Sequence, residues 1–183
     1  MKPFLSLLIS LFSACLAVFS QDDHRDHANR LFLSGKYENA IPVLKECLNL
    51  QPNDIPVQKM LAKSLFYVGY PDSTCVLYEE MAVHHPNDYD ILVFLGNYYY
   101  VKANHSAKRK TVYEEKKTIF HQHRKEGGKV TSDTAIEYYY QAGKYLEKAF
   151  VLYENEEIRK SLVDIYTIVG NKDKVIQYKK NTK

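Results

Sequence analysis

At 183 residues with 45% hydrophobic content, the chain is long enough for one domain with a real core. Its composition excludes wholesale disorder, and a formal charge of +3 is too weak an attraction to point to a polyanion. Sixteen tyrosines and no tryptophan are the oddity. Tyrosine fills helix–helix seams while its hydroxyl stays wet, so packing is the first reading and a Tyr-lined recognition surface the second.

Lys2 supplies a charged start, and Phe4 to Phe19 is an almost unbroken apolar run closed by Ala14, Ala17 and Ser20. This pattern predicts an export signal over residues 1–20, too short and wrongly flanked for a membrane span. Cleavage after Ser20 leaves Gln21 as the new N-terminus. A competing reading takes Phe12-Ser13-Ala14-Cys15 as a lipoprotein box with Cys15 lipidated, although Leu16 to Phe19 stays apolar where a lipoprotein turns polar. An uncleaved anchor is the third reading. All three place the rest of the chain outside the cytoplasm, periplasmic or otherwise associated with the cell envelope.

From residue 21 onward the chain repeats itself. Gly35 recurs as Gly69, Pro52 as Pro86, Asn53 as Asn87 and Asp54 as Asp88, each 34 residues on, and Ala28 recurs as Ala62 and then Gly96. Such a period, marked by small residues, a turn glycine and a terminal proline, is the signature of stacked helical hairpins. In the first unit, 21–54, Ala28, Leu31 and Phe32 fall at helical spacing and Gly35 makes the turn. Tyr37, Ala40, Ile41, Leu44, Cys47 and Leu48 then form one apolar stripe, and Pro52 stops the helix. Asp54 is placed to cap the next helix through its free backbone amides. The second unit, 55–88, keeps the frame with Leu61, Ala62, Leu65, Gly69, Tyr78 and Met81, with Thr74 where the first has Ala40 and Pro71 at a helix start.

The third unit, 89–155, opens regularly with Ile91, Leu92, Leu95, Gly96 and Tyr99, but Ala103 stands where the turn glycine belongs. Its second helix is expected only over Ser132 to Tyr153, where Ala142, Leu146, Ala149 and Leu152 occupy the frame of Ala40, Leu44, Cys47 and Leu50. About 104–131 is therefore an insertion, and loss of the glycine suggests that the first helix simply runs on as a projecting arm broken at Gly127-Gly128. Thr134 and Glu137 read as a capping box for the returning helix. A degenerate fourth unit, 156–180, carries Leu162, Val163, Tyr166, Gly170, Val175 and Tyr178, and Lys179 to Lys183 reads as a solvated end.

These residues resemble the tetratricopeptide repeat family over most of the chain after residue 20. The resemblance implies an all-α fold, a right-handed superhelical stack of antiparallel helix pairs, here with a helical insertion inside the third repeat. It also implies a non-enzymatic role holding a protein or peptide partner along the concave face of the first helices. By frame position that face comprises Arg25, Asn29 and Phe32, then Lys59, Lys63 and Phe66, then Asn97 and Tyr100. Some relatives clamp a terminal carboxylate there. Arg25 and Asn29 suit such a clamp, but Met60, Asp90 and Phe94 stand where Asn, Lys and Arg would be needed.

The sequence shows no nucleotide loop, zinc-protease pattern, Gly-flanked serine or CxxC pair, so no catalytic residue, metal site or cofactor is expected. Asp22, Asp23, His24, Asp26 and His27 read as a solvated first turn rather than metal ligands, and His84-His85 and His121/His123 are weaker still. Cys47 and Cys75 fall at non-equivalent positions on second helices and read as buried small hydrophobes. The insertion holds eight cations, among them Lys108, Arg109, Lys116, Lys117, Arg124 and Lys125, against three carboxylates. An exported protein seldom meets nucleic acid, so this basic arm reads as a solvated helix or as contact with an anionic membrane surface. The alternative function is accordingly an envelope accessory that binds glycan or anionic lipid through tyrosines and the arm.

Overall fold

The structure is a computed structural model that describes the backbone of residues 23–119 and 132–179 and the side chains of 23–107 and 133–179. The export signal with Cys15 and Ser20, the arm residues Arg124 and Lys125, Gly127-Gly128 and the tail beyond Lys179 lie outside the described residues. Eight helices and no strand are found among them: α1 (23–33), α2 (Tyr37–Leu50), α3 (Ile55–Tyr67), α4 (Pro71–His84), α5 (Tyr89–Ile119), α6 (Ser132–Leu152), α7 (Glu156–Ile168) and α8 (Lys172–Lys179). The chain divides into two compact units, the first ending at Tyr78 and the second beginning at Glu79, so the division falls within α4.

The 34-residue period has a backbone cause. Gly35, Gly69 and Gly170 have φ of +72°, +95° and +78°, the left-handed region that glycine enters without a Cβ penalty. After α1 the Lys36 amide donates to the Leu31 carbonyl and the Gly35 amide to that of Phe32; Tyr70 and Gly69 repeat this on Leu65 and Phe66, and Asn171 and Gly170 on Tyr166 and Thr167. Each pair satisfies carbonyls orphaned at a helix end and turns the chain back. At Ala103, which is fully buried, there is no such stop, and α5 continues to Ile119. Starts are capped as the sequence implies at α3, where Asp54 Oδ1 accepts from the Val57 amide at 3.2 Å. Pro71 does open α4. The capping box expected at Thr134 does not form the start of α6, which begins at Ser132; Ser132 and Asp133 already lie inside the helix.

In the first unit, Ala28, Ala40, Leu44, Cys47, Val57 and Leu61 form the core, with Leu31, Ile41 and Leu65 against them. Thr74, fully buried, donates its hydroxyl towards the Ala62 carbonyl at 3.1 Å and the Tyr70 carbonyl at 2.9 Å, which ties α4 to α3. In the second unit, Leu92, Ala142, Leu146, Ala149, Leu162 and Ile165 form the centre of the core. Gly96 on α5 permits the closest approach: a Cβ there would sit 2.5 Å from Leu146 Cγ and Cδ2. The last helix is held by Glu147 of α6, which pairs with Lys174 and accepts the Tyr178 hydroxyl at 2.9 Å. Cys47 and Cys75 are both buried, and neither forms a disulfide among the described residues.

Candidate functional site

First helices supply the candidate face because their inner residues are spent on the core. On α1, Ala28 is fully buried, leaving Arg25 and Asn29 exposed and Phe32 half-buried. On α3, Val57, Leu61, Ala62 and Ser64 face inward, leaving Lys63 and Phe66 exposed and Lys59 half-buried. These six residues belong to the first unit. Asn97, exposed, and Tyr100, half-buried, belong to the second.

Neighbours modify several of these roles. Arg25 is held by Asp54, Nη1 to Oδ2 at 3.2 Å, so the same carboxylate caps α3 and anchors the start of α1. Arg25 and residues 51–56 line a shallow, open depression of about 600 Å³. Within it Arg25 is paired with Asp54 and stays half exposed. Tyr100 packs edge-on against Tyr139, centroids 6.0 Å apart, and the Tyr139 hydroxyl donates to Asn104 Oδ1 at 2.7 Å. Burial, and secondarily Tyr100, pushes the Tyr139 phenol up from its ordinary value.

The first unit also assembles aromatic rings that the repeat frame does not single out. Tyr37 stacks on Tyr67 with centroids 4.4 Å apart and planes 18° from parallel. Phe32 meets Tyr37 edge-on at 5.5 Å, and Phe66 meets Tyr67 edge-on at 6.0 Å. Phe66 and Phe32 were expected by frame position, whereas Tyr37 and Tyr67 were missed. The adjacent pair Phe66-Tyr67 one turn after Lys63 was the available signal.

Tyrosines of the second unit do structural work by comparison. Tyr99 stacks parallel to Tyr145, 6.0 Å away, and donates to Glu79. Lys102 Nζ lies 5.0 Å from the Tyr98 ring centroid and 5.3 Å from that of Tyr138. Of the basic arm, Lys108, Arg109, Lys116 and Lys117 fall on α5. No group of three His, Cys, Asp or Glu that could hold a metal ion occurs among the described residues. Nor is any helix among them long and apolar enough to cross a membrane.

No protein-family model matches the chain, and no curated protein matches it. Solved structures do. A thermophilic TPR protein of Thermus thermophilus matches with a TM-score of 0.41 and 14% identity, over 86% of this chain and 87% of that one. MamA of MSR-1 matches at 0.40 and 16%, over 86% and 91%, and MamA of AMB-1 at 0.41 and 18%, over 88% and 89%. The tetratricopeptide-like, all-α fold of this chain rests on its own hairpins and their glycine stops.

Proposed function

We propose that the chain is a non-enzymatic scaffold, exported to the cell envelope, that holds a segment of a protein partner with the first helices of its hairpins. The observation that carries this reading is the division of labour on α1 and α3. Small and aliphatic residues lock each helix into its hairpin, while Asn29, Lys63 and Phe66 are left exposed at the surface. Hairpins built this way present side chains at regular spacing, which suits an extended or helical peptide. Asn97 and Tyr100 on α5 offer the same frame positions in the second unit. Export is supported by the apolar run over 4–19. Mass spectrometry of the mature N-terminus separates cleavage after Ser20 from lipidation at Cys15.

The test is capture from envelope extracts with the wild-type chain and a Lys63→Glu/Tyr100→Ala variant. A partner recovered by the first and lost by the second supports the reading; identical recovery refutes it. One observation favours the second reading: α5 carries Lys108, Arg109, Lys116 and Lys117 on one uninterrupted helix past Ala103. Sedimentation with anionic liposomes, with and without residues 104–131, tests it, and unchanged sedimentation discards it.

A further inference from the structure

We propose that α8 is a latch: it lifts off the second unit as one body about Gly170 while α6 and α7 stay folded, and Glu147 is its fastener.

The way α8 is held sets it apart from every other helix of the second unit. Its eight residues are fewer than the roughly 12–15 that an isolated helix needs in water, so it exists as a helix only while docked. Yet it docks thinly. Tyr178 is its one buried residue, whereas α7 buries Ile158, Leu162, Ile165 and Tyr166. The rest of the hold converges on a single carboxylate. Glu147 of α6 pairs with Lys174 and accepts the Tyr178 hydroxyl at 2.9 Å, so two α8 side chains one turn apart share one anchor. Around that anchor, Lys174 Nζ lies 5.5 Å from the Tyr166 ring centroid. Tyr178 stacks on Tyr166 at 6.1 Å and meets Phe150 edge-on at 5.6 Å. Contacts that share an anchor are lost together, which makes opening all-or-none rather than gradual.

The hinge is built in. Val169, Gly170 and Asn171 alone separate α7 from α8. Gly170 sits at φ +78° with no atom within 4 Å of an added Cβ, so the turn rotates without a clash. Glu147 and Lys174 are partly exposed even when paired, and both regain water when α8 lifts, so opening strands no buried charge. It uncovers Tyr166 and Phe150 beside the Glu147 carboxylate, an aromatic face that the closed form hides.

The experiment is hydrogen exchange of the full chain followed by NMR, comparing the wild type with Glu147→Gln and Tyr178→Phe. In the wild type the amides of Val175 to Lys179 are expected to share one exchange rate, at least about tenfold faster than those in the middle of α7. Glu147→Gln keeps an acceptor but loses the charge, and is expected to raise that shared rate about tenfold. Tyr178→Phe keeps the ring and loses the hydroxyl, and is expected to raise it about threefold. Exchange in α2, α3 and α7 is expected to stay as it was, while hydroxyl-radical labelling of Phe150 and Tyr166 rises in both variants. A rate graded from Lys179 back to Val175 means simple fraying and overturns the proposal. So does protection equal to that of α7, an α8 rate indifferent to Glu147→Gln, or a loss of protection that spreads to α2 and α3. Envelope capture with Lys63→Glu/Tyr100→Ala bears on the scaffold reading alone, since neither residue lies on α8.

Discussion

Replacing Gly96 by alanine isolates the closest helix contact in the second unit. The new Cβ would lie 2.5 Å from Cγ and Cδ2 of Leu146 and 3.4 Å from its backbone nitrogen. Leu146 cannot swing aside freely, because it is fully buried in a core that includes Leu92, Ala142, Ala149 and Leu162. Overpacking of this kind costs about 1–3 kcal/mol, while exchanging glycine for alanine inside a helix returns about 1 kcal/mol. The expected result is net destabilisation of about 1 kcal/mol, or a melting temperature lower by roughly 2–4 °C for a chain of this size. Urea unfolding followed by circular dichroism gives the energy, and a double-mutant cycle gives the cause. Leu146→Ala alone is expected to cost about 2–5 kcal/mol. In the Gly96→Ala background it is expected to cost less by at least about 1 kcal/mol, because the clash disappears with the side chain. A stabilising Gly96→Ala, together with an additive cycle, refutes the reasoning.

Other perturbations follow from single contacts. Burial first, then the charge and hydrogen bond of Glu147, push the Tyr166 and Tyr178 phenols far above the ordinary tyrosine value. Since the folded value is the higher one, their contribution to stability is fully present below about pH 10 and is lost as pH rises above it. Ultraviolet titration should show these two ionising after the exposed tyrosines, and Glu147→Gln should bring them earlier; no change on that substitution would contradict the assignment. Ser64 is fully buried and its hydroxyl has no hydrogen-bond partner among the described residues. Ser64→Ala should therefore stabilise the first unit by about 0.5–1 kcal/mol, seen as a higher urea midpoint. Gly69→Ala keeps its space, since no atom lies within 4 Å of the added Cβ, but must hold alanine at φ +95°. A loss of about 1–2 kcal/mol is expected, and an unchanged midpoint would show that the turn relaxes at no cost.

The repeat frame was legible because its cause is local. A glycine that leaves α1 or α3 in the left-handed region, an aspartate that caps α3 and a proline that opens α4 act within a few residues of themselves, so spacing along the chain reports them directly. Absence was legible too: Ala103 stands where the turn glycine belongs, and α5 runs on. The capping box at Thr134 misled because two residues before it also sustain the helix, and a side-chain cap matters only where backbone amides are free.

Which polar and aromatic groups meet across helices was decided only in three dimensions. Arg25 is expected at the partner face from its repeat position, and its pairing with Asp54, 29 residues away, is visible only in the fold. Tyr37 and Tyr67 are thirty positions apart and stand at different places in the repeat, so no periodic pattern pairs them, yet their rings stack at 4.4 Å. Glu147 gathers Lys174 and Tyr178 in the same way. A sequence records the residues that shape its own turn or stripe. Contacts between helices depend on the angle and depth at which two stripes interlock, and that is settled by the packing of the whole hairpin.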